Sequence, residues 1–188
     1  MSTVSHETIH TTAQAHMCPA MVSALAVLVS AWLFSAALAS CSSIDCPVEN
    51  TVFTTYTLEN PDGSTGSMTT DTLTIKTLRS NGTDSTLINS LTGSDINGFD
   101  LPISYTQPED ILYTTLRCAS GTTYLDTIRI KKENHPHFES VDCQATYFHT
   151  ITAISTTHHG IDSIVINKPY VSYDSSTEHF HLYLKADR

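Results

Sequence analysis

The chain has 188 residues and a formal net charge of −10, from 19 acidic and 9 basic side chains. Binding to nucleic acid needs a basic surface, and electrostatic attachment to anionic lipid needs one as well, so the acidic charge disfavours both. The length suits one domain with a sizeable core, and we expect no nucleic-acid partner.

An apolar segment runs from Met17 to Cys41 and ends in small residues. Its last four residues, Leu38–Cys41, read leucine, alanine, serine, cysteine, which matches the lipobox of bacterial lipoprotein signals. We therefore expect residues 1–40 to be removed as a signal peptide. Cys41 then becomes the lipidated first residue of the mature protein, and residues 41–50 form the lipidated cysteine and a short linker.

The signal peptide lacks the usual positively charged N-terminal region, because no Lys or Arg precedes Lys76. Translation from Met17 or Met21 would place a charged amino group near the membrane. Residues 1–16 are therefore interpreted as sequence upstream of the true translation start. The alternative is an uncleaved transmembrane anchor, since Pro19–Ser40 is long enough to cross a bilayer. Both alternatives place the rest of the chain outside the cytoplasm.

Three cysteines follow Cys41, which is an odd number for an oxidising compartment: Cys46, Cys118 and Cys143. One disulfide and one remaining thiol are expected. In the loop-entropy model a Cys118–Cys143 bond contributes about 3.5 kcal/mol and a Cys46–Cys143 bond about 4.7 kcal/mol, so entropy alone does not choose between them.

Residues 51–188 alternate between apolar and polar side chains with a period of two, rather than with a helical period. Turn signals such as Asn60–Gly63 and Asn81–Gly82 separate the short segments. Strands are predicted at residues 52–58, 71–78, 85–91, 100–105, 110–118, 124–131, 145–155, 162–167 and 179–185. This pattern predicts an all-β domain, an immunoglobulin-like or fibronectin-like β-sandwich that follows the cleaved lipoprotein signal.

Three strands share the pattern aspartate, Thr or Ser, aliphatic, any residue, Ile, beginning at Asp71, Asp126 and Asp162. The two aliphatic residues lie two positions apart and face one side of a sheet, so these are predicted core strands. Each aspartate is expected to accept hydrogen bonds from amides of the turn that leads into its strand. In the last strand the predicted inward residues are Phe180, Leu182 and Leu184.

The second half of the mature chain carries ordered motifs at Asn134–Glu139, Asp142–Cys143, Phe148–Ile151, Thr157–His158, Ile161–Ile164 and Val171–Asp174. Three more fit earlier in the chain, at Asp45–Pro47, Asp71–Leu73 and Leu101–Ile103. In this order they resemble a family of small Bacteroidales envelope lipoproteins known only as a domain of unknown function. The resemblance implies a lipidated, β-rich, extracytoplasmic domain. Cys46 and Cys143 lie in family-like motifs and Cys118 does not, so it also implies a Cys46–Cys143 disulfide, with Cys118 as the alternative partner.

Histidine is the residue type that suggests a site. His135 and His137 form one pair at spacing two, and His179 and His181 form another. Residues at this spacing share a face of a strand, and two such pairs that met would offer imidazole ligands to zinc or copper. Exposed strand histidines explain the same residues without a metal, and Pro136 interrupts the first pair.

No catalytic motif follows Cys41: the chain has no Gly-x-Ser-x-Gly elbow, no Ser-x-x-Lys and no glycine-rich phosphate loop. Tyr105, Tyr170 and Tyr173 lie beside turns, where tyrosine stacks on a sugar or peptide or lines the rim of a core. We therefore expect no enzyme and no cofactor, but a binding or envelope-assembly component with an envelope protein or glycan as partner. It would be an outer-membrane lipoprotein of a bacterial cell envelope, periplasmic or surface-facing; the alternative is a histidine-based metal-binding envelope protein.

Overall fold

The computed structural model describes residues 51–186, whose segments rich in Thr, Ile and Val form ten β-strands and no helix. Within this range no helix is present that could cross a membrane. The expected signal peptide, the linker, Cys41 and Cys46 lie outside the described residues.

The strands confirm every segment predicted from the alternation. They are β1 (Phe53–Glu59), β2 (Met68–Leu78), β3 (Asp84–Gly93), β4 (Gly98–Pro102), β5 (Glu109–Arg117), β6 (Thr123–His137), β7 (Thr146–Ser155), β8 (Ile161–Ile166), β9 (Tyr170–Val171) and β10 (Phe180–Leu184). The two-residue strand β9 was not predicted, because so short a strand has no alternation to detect.

Strand β6 continues past its predicted end and includes Pro136. Its pairing with β5 ends at Lys131, whereas its pairing with β7 continues to His137. Proline has no N–H to donate, but beyond Lys131 the strand has a neighbour on one side only, so Pro136 is tolerated there as on an edge strand.

The strands form two sheets that pack together, a four-stranded sheet in the order β4-β1-β10-β8 and a six-stranded sheet in the order β3-β2-β5-β6-β7-β9. Neighbouring strands are antiparallel except β1 and β10, which pair in parallel with Tyr56 opposite Phe180. The predicted all-β sandwich is confirmed. Its strand order differs from the ABED and CFG sheets of an immunoglobulin constant domain.

The repeated aspartate pattern does mark core strands. The aliphatic residues that follow Asp71 and Asp126 are buried, and those that follow Asp162 are half-buried against the same core. Tyr56 packs at the centre, with its ring centroid 4.8 Å from that of Phe180. The inward residues of β10 are also as predicted: Phe180, Leu182 and Leu184.

The expected role of the aspartates is wrong for Asp126, whose carboxylate serves a different turn. Its Oδ1 accepts from the His159 amide at 2.7 Å and from the Thr157 hydroxyl at 2.8 Å, and its Oδ2 accepts from the amides of Gly160 at 2.8 Å and Ile161 at 3.0 Å. Burial opposes ionisation, but these donors outweigh it and lower the pKa of Asp126 below its usual value. Asp126 therefore fixes the β7–β8 turn to β6.

Candidate functional site

The four histidines that the sequence grouped belong to different sheets. His135 and His137 lie on β6 of the six-stranded sheet, whereas His181 lies on β10 of the four-stranded sheet and His179 immediately precedes it. Among residues 51–186 no group of three or more His, Cys, Asp or Glu side chains is placed to hold a metal. The spacing of two places His135 and His137 on one strand, but the two pairs do not come together as a set of ligands.

Each imidazole has another contact within the fold. His135 Nε2 lies 3.1 Å from Thr150 Oγ1, and His137 Nε2 lies 3.1 Å from Glu139 Oε1. Both contacts are on the six-stranded sheet or the loop that follows β6.

On the other sheet, His179 is buried and its Nδ1 accepts a hydrogen bond from the Thr55 amide at 3.0 Å. His181 Nδ1 lies 2.8 Å from Glu59 Oε1, and the hydroxyl of Tyr183 donates to Glu59 Oε2 at 2.5 Å. These contacts join β1 to β10 and its approach, so both histidines contribute to the parallel pairing of the first and last strands.

The structure determines part of the disulfide pairing. Cys143 is in a disulfide, whereas Cys118 is buried and is not in one. The alternative Cys118–Cys143 bond is therefore not formed. Because Cys46 lies outside the described residues, the Cys46–Cys143 bond stays a prediction.

Three rings contact Phe148, and we call the four residues the aromatic cluster: His137, Phe148, Tyr170 and Tyr173. His137 stacks on Phe148 with ring centroids 4.2 Å apart and an interplanar angle of 20°. Tyr173 and Tyr170 stand nearly perpendicular to Phe148, at 5.1 Å and 88° and at 6.1 Å and 80°. Tyr173 also contacts His137 edge-on at 6.4 Å.

Strand register places Phe148 and Tyr170 of the aromatic cluster on the outer face of the six-stranded sheet. Thr150 is opposite Tyr170, and Phe148 is two residues from Thr150, so these three side chains share a face. The alternate residues His149 and Val171 also pair with each other and are fully buried on the inner face. Phe148 is nevertheless partly buried and also packs against the hydrophobic core, whereas Tyr170 is exposed.

The two tyrosines of the aromatic cluster are exposed, whereas His137 and Phe148 are half-buried. Tyr170 is 53% exposed and Tyr173 39% exposed, and Phe138, which follows His137 along the chain, is 62% exposed. Exposed aromatic groups on a rigid sheet are a common feature of binding surfaces. Sequence reasoning noted both tyrosines from their position beside turns but missed Phe148, because only the β6–β7–β9 pairing places it between them.

One carboxylate contacts the aromatic cluster, and a second acidic residue adjoins it in the chain. Glu139 contacts His137, and Asp174 directly follows Tyr173 in the chain. Asp174 accepts hydrogen bonds from the Ser176 hydroxyl at 2.6 Å, the Ser176 amide at 3.0 Å and the Thr177 hydroxyl at 3.0 Å. These bonds, that from the Ser176 hydroxyl above all, lower the pKa of Asp174, so its carboxylate fixes the turn that follows Tyr173.

A buried polar group lies on the inner face of the same sheet. Lys132 Nζ donates to the carbonyl oxygens of Ser104 at 2.5 Å and Gln107 at 2.7 Å and to Asn134 Oδ1 at 2.8 Å. His149 Nδ1 lies 2.8 Å from the same Asn134 oxygen, so this nitrogen carries the proton and donates. Burial lowers the pKa of Lys132. Lys132 thus ties the loop between β4 and β5 to the sheet.

His149 makes the stability of the fold sensitive to acid. Burial, and then the nearby charge of Lys132, lower its pKa from 6.5 to about 4. Between these two values the unfolded chain binds a proton that the folded chain does not, so stability is expected to fall as the pH decreases through this window. Urea unfolding at a series of pH values measures the slope. The variant His149→Gln should show a shallower slope, and an unchanged slope would contradict this assignment.

Comparison with known proteins gives a family but no activity. The profile of a family of unknown function, DUF6452, matches residues 72–184, from within β2 to the end of β10. No curated protein and no solved structure matches the chain. Since the match covers more than half of the sequence, the chain belongs to the family of unknown function DUF6452.

Proposed function

We propose that this protein is a non-enzymatic binding or assembly component of a bacterial cell envelope, held in the outer membrane by lipid on Cys41. The lipobox at Leu38–Cys41 supports the anchor and the extracytoplasmic address. The ordered motifs that resemble Bacteroidales envelope lipoproteins support the same location, in either the periplasmic or the surface-facing orientation.

The exposed aromatic cluster is the observation that supports a binding role. Large rings held by a sheet offer contact area without a large entropic cost of ordering, and such rings dominate the energetics of interfaces. Among the ionisable groups with shifted pKa values inside the fold, Asp126, Lys132 and His149 are engaged in internal hydrogen bonds. This use favours a structural role for them over catalysis.

The anchor is tested with the variant Cys41→Ala in the full-length protein. The wild type should sediment with the envelope fraction and carry the mass of a processed, acylated amino terminus. Cys41→Ala should lose the acyl mass and most of the membrane association, whereas Cys18→Ala, which alters the other cysteine of the apolar segment, should change neither. Equal membrane association and equal mass for wild type and Cys41→Ala would contradict the lipoprotein assignment.

The binding role is tested in the same envelopes by crosslinking and affinity purification. A partner that contacts the aromatic cluster should be lost from the double variant Tyr170→Leu, Tyr173→Leu. It should be retained by Tyr113→Leu, a matched control because Tyr113 is 41% exposed and lies on β5, away from the cluster. Retention of all partners by the double variant would refute the cluster as the binding surface.

A further inference from the structure

We infer that the loop between β6 and β7, residues 138–145, lies against the phospholipid bilayer and inserts Phe138 and Val141 into its headgroup region. This inference rests on the proposed lipid anchor at Cys41 and adds a second contact between the domain and the membrane. Three features support it: the exposure of the two apolar side chains, the position of the loop beside the start of the domain, and the short chain that leads from there to the anchor.

The β6–β7 loop presents apolar side chains to the outside. Val141 is 97% exposed and Phe138 is 62% exposed. The Cys143 amide donates to the Ser140 carbonyl at 3.2 Å, which closes a four-residue turn with Val141 at its first central position. Turns favour Gly, Pro, Asn, Asp and Ser for their backbone properties. The turn itself therefore gives no reason for a valine at this exposed position.

The start of the domain lies at the same end of the sandwich as this loop. Thr51 Oγ1 is 2.9 Å from the Tyr105 hydroxyl. The Tyr105 ring centroid in turn lies 6.5 Å from that of Tyr147, the second residue of β7 after the loop. Tyr105 is 40% exposed, and tyrosine suits a membrane interface because its ring is apolar and its hydroxyl is polar. The chain therefore enters the domain close to the β6–β7 loop.

The chain between this end of the domain and Cys41 is short. Thr51 follows Cys41 by ten positions, which span at most about 36 Å when fully extended. Cys143, two residues after Val141, is in a disulfide. With its predicted partner Cys46, five positions after Cys41, the limit falls to about 18 Å. A lipid on Cys41 would thus hold the loop near the bilayer, where burial of exposed apolar surface is favourable.

The charge of the loop indicates which kind of membrane contact it makes. The loop carries Glu139 and Asp142 and no Lys or Arg. An acidic loop is not attracted to anionic lipid, so we expect apolar insertion among zwitterionic headgroups such as phosphatidylcholine or phosphatidylethanolamine. The two carboxylates resist transfer out of water, which limits the insertion to the headgroup region.

Leu125 provides a matched control, because single exposed apolar side chains are common on protein surfaces. Leu125 is 65% exposed and also lies on β6. It precedes Phe138 by thirteen positions, which places it about 40 Å away along the strand, near the opposite end of the sandwich. Exposure alone would treat Leu125 and Phe138 alike, whereas the inferred contact distinguishes them.

The test measures tryptophan quenching in the full-length protein, purified with its lipid and placed in phosphatidylcholine vesicles with or without brominated acyl chains. The single Trp of the chain, Trp32, lies in the predicted signal peptide, so Phe138→Trp and Leu125→Trp each supply one reporter. Phe138→Trp should lose emission in brominated vesicles and shift its maximum to shorter wavelength, whereas Leu125→Trp should do neither. Adding Val141→Asp to Phe138→Trp should remove most of the quenching, because a carboxylate resists entry into the bilayer.

Equal quenching of Phe138→Trp and Leu125→Trp, or no quenching of either, would overturn the inference. A shift to shorter wavelength without quenching would identify a neighbouring protein, such as a second copy, as the cover of the loop and would overturn it as well. Flotation of each variant with the vesicles reports the anchor separately. Flotation without quenching refutes only the loop contact, whereas failure of the protein with Cys41 intact to float refutes both the anchor and the loop contact.

Discussion

Replacing Lys132 by Met is expected to lower the free energy of unfolding by about 3 kcal/mol. The ammonium donates to Ser104, Gln107 and Asn134, and hydrogen bonds from a charged donor contribute about 1.5 to 3 kcal/mol each. Part of this gain is offset by the cost of burying the charge, which is the reason that its pKa is lowered. Met fills a similar volume but leaves the Ser104 carbonyl without this donor.

The neighbouring residue provides the control. Lys131 lies on the exposed face of β6, whereas Lys132 is only 4% exposed. Lys131→Met removes the same charge from the same strand and should change stability by less than about 0.5 kcal/mol, as surface substitutions usually do. Chemical denaturation of the three proteins measures the difference. Similar midpoints for Lys132→Met and Lys131→Met would show that the buried hydrogen bonds add no net stability.

Asp126→Asn should lower the free energy of unfolding by about 2 to 3 kcal/mol. The carboxylate accepts four hydrogen bonds from the β7–β8 turn, three of them from backbone amides. An asparagine oxygen replaces one acceptor, but its NH₂ group then faces amides that also donate, so part of the turn is left unsatisfied. Asp162→Asn is the matched control, because Asp162 begins the same sequence pattern but is exposed.

The effect of Asp126→Asn should depend on pH in a defined direction. Since the folded pKa of Asp126 is lowered, its charge stabilises the fold above the unfolded pKa of about 4, and this contribution is lost as the pH falls through the folded value. The stability difference between wild type and Asp126→Asn should therefore be largest near neutrality and shrink below about pH 4. A difference that stayed constant or grew in acid would contradict the role of the carboxylate charge.

The histidine pairs show how far spacing alone predicts a site. A period of two correctly places side chains on one strand face, because backbone geometry fixes it locally. Whether two strands bring their faces together depends on which sheet each one joins, and β6 and β10 join different sheets. The metal hypothesis depended on that long-range step, which no local pattern contains.

The sequence alone determined the features that depend on neighbouring residues: the lipobox motif, the turn signals, the positions of the longer strands and the inward face of β10. It could not determine the partners of side chains distant in sequence. Asp126 reaches the turn at Thr157–Ile161, and the aromatic cluster joins residues from β6, β7, β9 and the loop that follows β9. Local alternation arises from backbone geometry, whereas these contacts exist only once strand order and register are set, so only the tertiary structure decided where the candidate binding surface lies.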